Sequence, residues 1–314
     1  MTLLNLKPLV PETLEIPAEI EMVLPGPLAR FGGVARASSQ GPAGAPVIVV
    51  LGGISAGLCP DRWWPGLVGA GRAVDPARHH VLGLDFIADP SGEAAPSPRD
   101  QAEALCIALD RLGVARVHAV VGASYGGMIA LALGQHFPER AERLVVISAD
   151  ARPHPAATAI RELQRRIVAL GLASGRAGEA LSIARGLAML SYRTREEFAE
   201  RFDGGMAGEA ALGRSDAGAY LRSRGEAFVA RMTPQRFLSL SASIDRHHVD
   251  PARIAVPSLL IGADSDQLVP PAQMAALAGA LAGPVDLHLL PSLYGHDMFL
   301  KDVDRFSALV EAFL

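Results

Sequence analysis

Apolar runs of strand length alternate with stretches of helical periodicity over the first half of the chain. The strand-like runs are Pro46–Leu51, His80–Phe86, Val117–Val121 and Leu144–Ser148. Helical spacing of apolar residues extends over Arg99–Leu112, which ends at Gly113, and from Gly127 to about His136. This alternation predicts an α/β fold, with a mostly parallel sheet flanked by helices. We expect a short hairpin around Glu19–Arg36 before the first of these strands.

The pattern changes to helices alone after about Ala151. The predicted helices are Ala157–Leu170, Ala177–Leu190, Arg195–Arg201 and Ala217–Arg231. Strands resume at Ser258–Ile261 and Val285–Leu290, and a final helix covers Val303–Phe313. We therefore predict a core domain made of residues 1–150 and 251–314, with residues 151–250 inserted as a helical cap (lid) over the active site.

Composition narrows the range of functions. The chain has 314 residues, half of them hydrophobic, which is enough for one large core with an insertion. Its net charge of -4 and its lack of a basic run argue against a nucleic-acid surface. Apolar runs such as Val47–Leu51 are too short to cross a membrane, and Met1–Glu21 does not resemble a signal peptide. Cys59 and Cys106 give no metal-ligand pattern, so we expect no bound metal and a cytoplasmic location.

The most informative stretch is Val117–Ile129, in which a strand ends in Gly122-Ala123-Ser124-Tyr125-Gly126 and a helix follows at once. A G-x-S-x-G sequence between a strand and a helix is the nucleophile elbow of the α/β-hydrolase fold. The small residues allow a tight, strained turn that projects the Ser124 hydroxyl from the sheet. The alternative is a glycine-rich turn in another α/β fold.

An acyl-transferring serine also needs N–H donors for the oxyanion. In this fold they come from the residue after the serine, here Tyr125, and from the loop after an early strand. That loop begins at Leu51, Gly52 and Gly53, one of which we expect to donate. An ordinary strand-to-helix loop is the alternative reading.

A serine nucleophile requires a base and an acid that orients it, and in this fold the acid precedes the histidine in the chain. His296 follows the last predicted strand and comes directly after Gly295, which allows close approach. Asp264 and Asp266 both follow the strand Ser258–Ile261. We favour Asp266 as the acid because it begins a D-x-x-x-P turn, and we expect Asp264 to stabilise the turn.

Several segments resemble the homoserine O-acyltransferase family. Tyr294–Leu300 is similar to its G-H-D-A-F-L signature, Ser124–Met128 to its S-M-G-G-M elbow and Ser265–Pro270 to its S-D-x-L-F-P segment. Further similarities are Trp63–Asp75, Ala184-Arg185 with Tyr192-Arg193, and Tyr220-Leu221. The resemblance implies transfer of an acyl group from acetyl-CoA or succinyl-CoA to the side-chain hydroxyl of L-homoserine or L-serine, through an acyl-serine intermediate, in methionine or cysteine biosynthesis.

The same resemblance implies the binding residues. Arg185 would hold the carboxylate of the amino acid, Asp297 its ammonium group, and Tyr192 would line the site. The alternatives are an exposed cap-helix arginine for Arg185 and a helix N-cap for Asp297. The family uses acyl-CoA as a co-substrate without a permanently bound cofactor, acts on small molecules, and often forms dimers through the cap.

Some features depart from the family or concern other residues. Leu84–Gly92 lacks the family's N-x-L-G-x-x-x-G-S-T-G-P signature, a region that could shape the acyl-donor pocket. Arg161, Arg165 and Arg166 lie on the polar face of a cap helix, where we expect solvated side chains. The competing functions are a serine esterase or thioesterase with the same triad and a non-catalytic binding protein of the same fold.

Overall fold

The fold is built on one sheet of eight strands. The structure is a computed structural model that describes residues 18–205, 213 and 215–314. The strands are β1 (Ala18–Val23), β2 (Val34–Gln40), β3 (Val47–Leu51), β4 (His80–Asp85), β5 (Ala119–Ala123), β6 (Leu144–Ile147), β7 (Ser258–Ala263) and β8 (Val285–Leu290).

The strands lie in the order β1-β2-β4-β3-β5-β6-β7-β8. β1 and β2 form the antiparallel hairpin expected near the N-terminus, and β2 also pairs antiparallel with β4. From β4 to β8 all neighbours are parallel, so the carboxyl ends of these strands meet at one edge. The predicted α/β-hydrolase fold, a mostly parallel sheet flanked by helices, is confirmed.

The helices are α1 (Pro60–Trp63), α2 (Pro98–Arg111), α3 (Tyr125–His136), α4 (Pro155–Ala173), α5 (Ala177–Tyr192), α6 (Arg195–Arg201), α7 (Asp216–Val229), α8 (Pro234–Asp245), α9 (Pro271–Ala280), α10 (Met298–Lys301) and α11 (Val303–Phe313). Helices α4 to α8 follow one another between β6 and β7 with no intervening strand in the described residues. Four of these helices were not predicted from the sequence: α1 and α10, which have only four residues each, and the longer α8 and α9. α8 interleaves serines with its apolar positions, and α9 is almost wholly small and apolar, so neither shows a clear amphipathic stripe.

The centre of the sheet is buried on both faces. Every residue of β5, β6 and β7 is buried, and two separate clusters of apolar side chains cover the two faces of the sheet. One cluster includes α2 and α3, and the other includes α11 with Trp64. Strands buried on both faces are continuous apolar runs, which is why the sequence located them.

The turn from β5 into α3 packs directly on β3. The Gly126 N–H donates to the Gly52 carbonyl at 2.8 Å. A Cβ atom at Gly126 would overlap the backbone carbonyl of Leu51, and one at Gly122 would overlap Gly126 itself. Side chains are therefore excluded at both positions by backbone atoms, which cannot rotate away as a flexible side chain could.

We predict that Gly126→Ala lowers the free energy of unfolding by about 2–3 kcal/mol, because the added methyl group forces the first turn of α3 away from β3. Urea denaturation measures the loss. Gly279→Ala is the matched control: Gly279 also lies in a helix, α9, but has open space around its Cβ position. That control should gain up to about 1 kcal/mol from helix propensity. Equal effects of the two substitutions would contradict the packing argument.

Candidate active site

Ser124 sits at the junction of β5 and α3 in an unfavourable backbone conformation. Its φ of 54° and ψ of -116° lie outside the regions that L residues prefer. The turn is held by its own hydrogen bonds, since the Ser124 N–H donates to Ile147 of β6 at 2.8 Å and its carbonyl accepts from Met128 at 3.1 Å. This strained conformation places the Ser124 hydroxyl at the carboxyl edge of the sheet and at the N-terminus of α3.

His296 bridges Ser124 and Asp266. Its Nε2 lies 2.9 Å from the Ser124 Oγ, and its Nδ1 lies 2.8 Å from Asp266 Oδ2. The other oxygen of Asp266 accepts backbone N–H groups from Leu268 and Val269 at 2.8 and 3.0 Å. These contacts fix the carboxylate, so that Nδ1 carries the proton towards it and Nε2 is free to accept from the serine.

The loops that carry these side chains also distinguish the two aspartates. Asp264 is exposed, and its Oδ1 accepts from the Ser292 N–H at 3.3 Å, which joins the two loops without reaching His296.

Gly295, directly before the histidine, has a φ of 55°. A Cβ there would lie 2.7 Å from the Tyr192 carbonyl oxygen, so glycine lets the loop approach the end of α5.

The pKa of His296 is raised above its ordinary value. Burial of the ring acts to lower it, but the charge of Asp266 and the hydrogen bond that His296 donates to that carboxylate raise it more, with a further contribution from Asp297. The carboxylate therefore stabilises the imidazolium that forms when His296 takes the serine proton.

Two of the expected oxyanion donors, the N–H groups of Tyr125 and Gly53, remain candidates. The Tyr125 phenol points away into the core, where its hydroxyl contacts Ser243 and burial raises its pKa, and this leaves its backbone N–H at the elbow. Neither the Tyr125 N–H nor the Gly53 N–H has an acceptor among the described residues. Gly53 lines the cavity in front of Ser124, whereas Leu51 ends β3 and Gly52 packs against Trp63.

Ile54 is a further candidate donor, which its residue type did not indicate. It lines the same cavity as Gly53 and Ser124. Because it follows Gly53 in the loop, its N–H is a second candidate for the same role. The apolar side chain gave no signal, since an oxyanion donor acts through its backbone.

Arg185 and Tyr192, both on α5, reach the cavity of Ser124. The Arg185 guanidinium carbon lies 5.4 Å from the centre of the Tyr192 ring and 5.0 Å from that of Phe228. Arg185 forms no ion pair with a described carboxylate and is only partly exposed. Its position is therefore that of an arginine held between two rings beside the serine, and the alternative of an exposed surface arginine is wrong.

Asp297 lines the cavity as well, and it is fixed by an arginine that the sequence analysis left without a role. Arg193 Nε donates to Asp297 Oδ2 at 3.0 Å, and its Nη1 donates to Glu197 at 2.7 Å. Asp297 stands at the N-cap position of α10 but its side chain makes no capping hydrogen bond. Arg193 follows Tyr192 directly, so the Y-R pair was the available signal.

Two cavities meet at Ser124 and His296. One, of about 300 Å³, includes Gly53, Trp63, Arg185 and Asp297 in its lining. The other, which we call the inner chamber, is a more enclosed space of about 50 Å³ on the side of α4 and of the loop after β6. The side chains of Tyr192 and Ile244 line both cavities.

The expectation of solvated arginines on α4 is wrong for two of them. Arg161 Nε donates to Asp245 Oδ1 at 2.8 Å, and Arg165 Nη1 donates to Asp245 Oδ2 at 2.6 Å. These side chains are only 13% and 21% exposed, whereas Arg166 is exposed as expected. The partner lies on α8, a helix the pattern did not reveal, so the pairing could not be anticipated.

Within the described residues, no group of three or more metal-ligating side chains is close enough to hold a metal ion. In that same part of the chain, no helix has the length and apolar character needed to span a membrane.

We predict that Asp266→Asn lowers the rate of Ser124 acylation by an activated ester such as p-nitrophenyl acetate by on the order of 10³–10⁴-fold. Because the Asp266 carboxylate raises the pKa of His296, its removal should also move the acid limb of the pH–rate profile to lower pH. Asp264→Asn is the control and should leave both rate and profile unchanged. A profile that stays in place in Asp266→Asn would assign the orienting role elsewhere.

The sequence matches known proteins over most of its length. A family model described as alpha/beta hydrolase fold matches residues 46–303. A homoserine O-succinyltransferase of Xanthomonas campestris is 44% identical over 278 residues, which cover 85% of this chain and 74% of that protein. A homoserine O-acetyltransferase of Deinococcus radiodurans is 35% identical, with 86% and 83% of the two chains covered.

Solved structures agree on the fold. Esterase E22 superposes with a TM-score of 0.83 at 18% identity, over 95% of this chain and all of that one. A homoserine O-acetyltransferase from Bacillus anthracis gives 0.82 at 17% identity, over 95% and 98%. The structural likeness extends to hydrolases and transferases alike, so it is the sequence relationship that separates them. By that relationship, the chain belongs to the α/β-hydrolase fold family and, within it, to the homoserine O-acyltransferases.

Proposed function

We propose that this protein is an acyl-CoA-dependent homoserine O-acyltransferase that works through an acyl-serine intermediate. The observation that carries the proposal is the hydrogen-bonded chain from Ser124 through His296 to Asp266, which opens into a cavity that also holds Arg185 and Asp297. A serine triad supplies the acyl-transfer chemistry, and the two opposite charges suit a zwitterionic amino acid.

In the first half-reaction, the Ser124 oxygen attacks the thioester carbonyl while His296 Nε2 takes the hydroxyl proton. The N–H groups of Tyr125 and of Gly53 or Ile54 stabilise the oxyanion of the tetrahedral intermediate. The intermediate collapses with cleavage of the carbon–sulfur bond, and His296 returns the proton to the departing thiolate. Free coenzyme A leaves and the acyl group remains on Ser124.

In the second half-reaction, the acceptor hydroxyl occupies the place that the thiol has left. His296 removes its proton as the oxygen attacks the acyl-serine carbonyl. Collapse of the second tetrahedral intermediate breaks the bond to the Ser124 oxygen, and His296 protonates that oxygen. Asp266 keeps the imidazole in the required tautomer throughout both halves.

Arg185 and Asp297 are the proposed clamp for L-homoserine. The guanidinium of Arg185, held between Tyr192 and Phe228, would bind the carboxylate through its fork of donors. Asp297 would hold the ammonium group with the carboxylate that Arg193 orients. L-Serine, with the same charges and a shorter side chain, is the alternative acceptor.

The wider cavity offers a route for coenzyme A. It shares Ile54, Ser55, Ala56, Arg62, Trp63 and Arg231 with an outer groove that also includes Arg236. Arginines at the surface end of such a groove suit the phosphates of a nucleotide thioester. Asp85 also lies in the groove and pairs with Arg236 at 2.6 Å, so the segment that departs from the family signature contributes to this proposed donor site.

We propose that residues 151–250 act as a cap that excludes water from the acyl-serine and also provides a homodimer contact. The Tyr192 ring lies 5.8 Å from the His296 ring and covers the base from the cap side. Exposed apolar side chains, which would suit the dimer contact, occur on α4 and α5, at Leu163, Leu170 and Ile183.

Because Cys59 and Cys106 are buried and unpaired and the donor is a metabolic thioester, we infer a cytoplasmic site of action.

A serine esterase or thioesterase is the second candidate, favoured by the similarity to esterase E22. Its triad would be the same, with water as the acceptor. It gives no reason for Arg185 and Asp297 to flank the serine, because an ester without charges needs no such clamp.

The test is thiol release from acetyl- and succinyl-coenzyme A with and without L-homoserine or L-serine, together with mass analysis of the product. Release that depends on the amino acid and yields its O-acyl ester supports the transferase. Release that ignores the amino acid and yields free acid supports the esterase.

We predict that Ser124→Ala reduces acyl-CoA-dependent thiol release by at least about 10⁴-fold, because no oxygen remains to accept the acyl group. Intact-protein mass spectrometry should find the acyl adduct in the parent protein only. Ser223→Ala is the control, since Ser223 is exposed on α7 and lies outside the cavity of Ser124. An adduct that persists in Ser124→Ala would overturn the assignment of the nucleophile.

We predict that Arg185→Ala raises the KM for L-homoserine about 10- to 100-fold through loss of charge-assisted hydrogen bonds, with little change in the burst of thiol release. Pre-steady-state and steady-state kinetics separate the two half-reactions. Arg195→Ala removes an exposed arginine from the cap and should change neither. If Arg185→Ala slows both half-reactions equally, its role is structural.

A further inference from the structure

The inner chamber beside Ser124 has features that the triad and the amino-acid clamp do not explain. We propose that it receives the acyl group and that Arg161, Gln164 and Ser148 select an acyl group that ends in a carboxylate, as succinyl does. The proposal rests on the function proposed above and names its donor.

The two cavities that meet at Ser124 would hold different parts of the substrates. The departing thiol and the incoming hydroxyl both exchange a proton with His296 Nε2, so they occupy the same side of the acyl carbon. Arg185 and Asp297 line the wider cavity, which opens towards the outer groove. The remaining substituent of the acyl carbon is the acyl chain, and the inner chamber is the space left for it.

The size of the chamber matches a short acyl chain with a polar end. A water molecule needs roughly 10–15 Å³ by the same measure, so about 50 Å³ corresponds to about four water-sized groups. Beyond its carbonyl, a succinyl group has two methylene groups and a carboxylate, whereas an acetyl group has a single methyl. Met128, Leu268 and Val269 provide apolar wall beside Ser124 for the methylenes.

Arg161 supplies a fixed positive charge in the chamber wall. Its Nε and Nη2 both contact Asp245, and no acceptor for its Nη1 is found in the described part of the chain. Asp245 is shared with Arg165, so two guanidinium groups face one carboxylate. The cluster therefore keeps an excess positive charge in a partly buried place, which an anionic acyl tail would neutralise.

Two buried polar side chains line the same chamber, and one of them lacks a hydrogen-bond partner. Ser148 is 1% exposed, and its Oγ makes no hydrogen bond, although its backbone adopts a φ of 50° that a serine rarely takes. Gln164, one turn of α4 from Arg161, is 3% exposed and lines the same chamber. A buried hydroxyl without a partner is costly, and a carboxylate in the chamber would accept from the Ser148 hydroxyl and from the Gln164 amide.

Other charged groups face the chamber and act in both directions. Asp150 opposes an anion, but its carboxylate already accepts from Gln273 at 2.8 Å, and burial raises its pKa. Arg152 also lines the chamber from an exposed position and favours an anion. Arg165 balances the charge of Asp245, and Arg161 contributes a further positive charge. The chamber wall therefore favours a negatively charged acyl tail.

The test compares succinyl-, butyryl- and acetyl-coenzyme A as donors for acylation of Ser124, measured as the burst of thiol release. Butyryl-coenzyme A has the length of the succinyl chain without its carboxylate. The parent protein is compared with Arg161→Met, which removes the charge, and with Gln164→Leu, which leaves the ion pair with Asp245 intact. Arg166→Met, an exposed arginine on the same helix, is the matched control.

We expect the parent to prefer succinyl-coenzyme A, and Arg161→Met to lower kcat/KM for that donor by about 10- to 100-fold with little change for acetyl- or butyryl-coenzyme A. Gln164→Leu should shift the preference in the same direction by less, and Arg166→Met should not shift it. A parent that prefers acetyl-coenzyme A, or variants that lose all donors equally, would overturn the chamber assignment while acyl transfer to homoserine persists. If no donor gives amino-acid-dependent transfer, the proposed function itself fails.

Discussion

The site depends on direct backbone contact between the start of α3 and the end of β3. Gly126 donates to the Gly52 carbonyl and lies against Leu51 with no room for a side chain. That contact holds Ser124 in its strained conformation and places the N-terminus of α3 beside the loop that follows β3. The nucleophile and the N–H groups proposed to stabilise the oxyanion are thus set by one packing interaction, which only glycine permits.

A second set of contacts ties the helices between β6 and β7 to the histidine loop. The end of α5 lies against Gly295. Arg193, which follows α5, forms ion pairs both with Asp297 in the histidine loop and with Glu197 on α6. These three charged side chains are largely buried, so they are held in place by each other rather than solvated by water. The same segment therefore positions the groups proposed to bind the acceptor and covers the base, which couples recognition to exclusion of water.

The sheet and the residues of the triad could be predicted from sequence because each has a local signature. Buried parallel strands are continuous apolar runs, and Ser124, Asp266 and His296 follow three of them in the order that the fold requires. The pairing of Arg161 with Asp245 could not be predicted, because it joins residues 84 positions apart on helices whose packing the pattern does not specify. α8 was missed for a related reason, since its serines are buried and interrupt the apolar stripe. Ile54 gave no signal because a backbone N–H is independent of residue type.

The proposed mechanism requires that the acyl group on Ser124 is transferred to an amino acid faster than to water. The direct measurement is the lifetime of the isolated acyl-enzyme. It is formed with labelled acyl-coenzyme A and separated from the released thiol. One portion is then incubated in buffer alone and another with L-homoserine. We predict that homoserine removes the label from Ser124 at least about 100-fold faster than buffer does and carries it as the O-acyl ester. Equal lifetimes, with the label released as free acid in both, would contradict it.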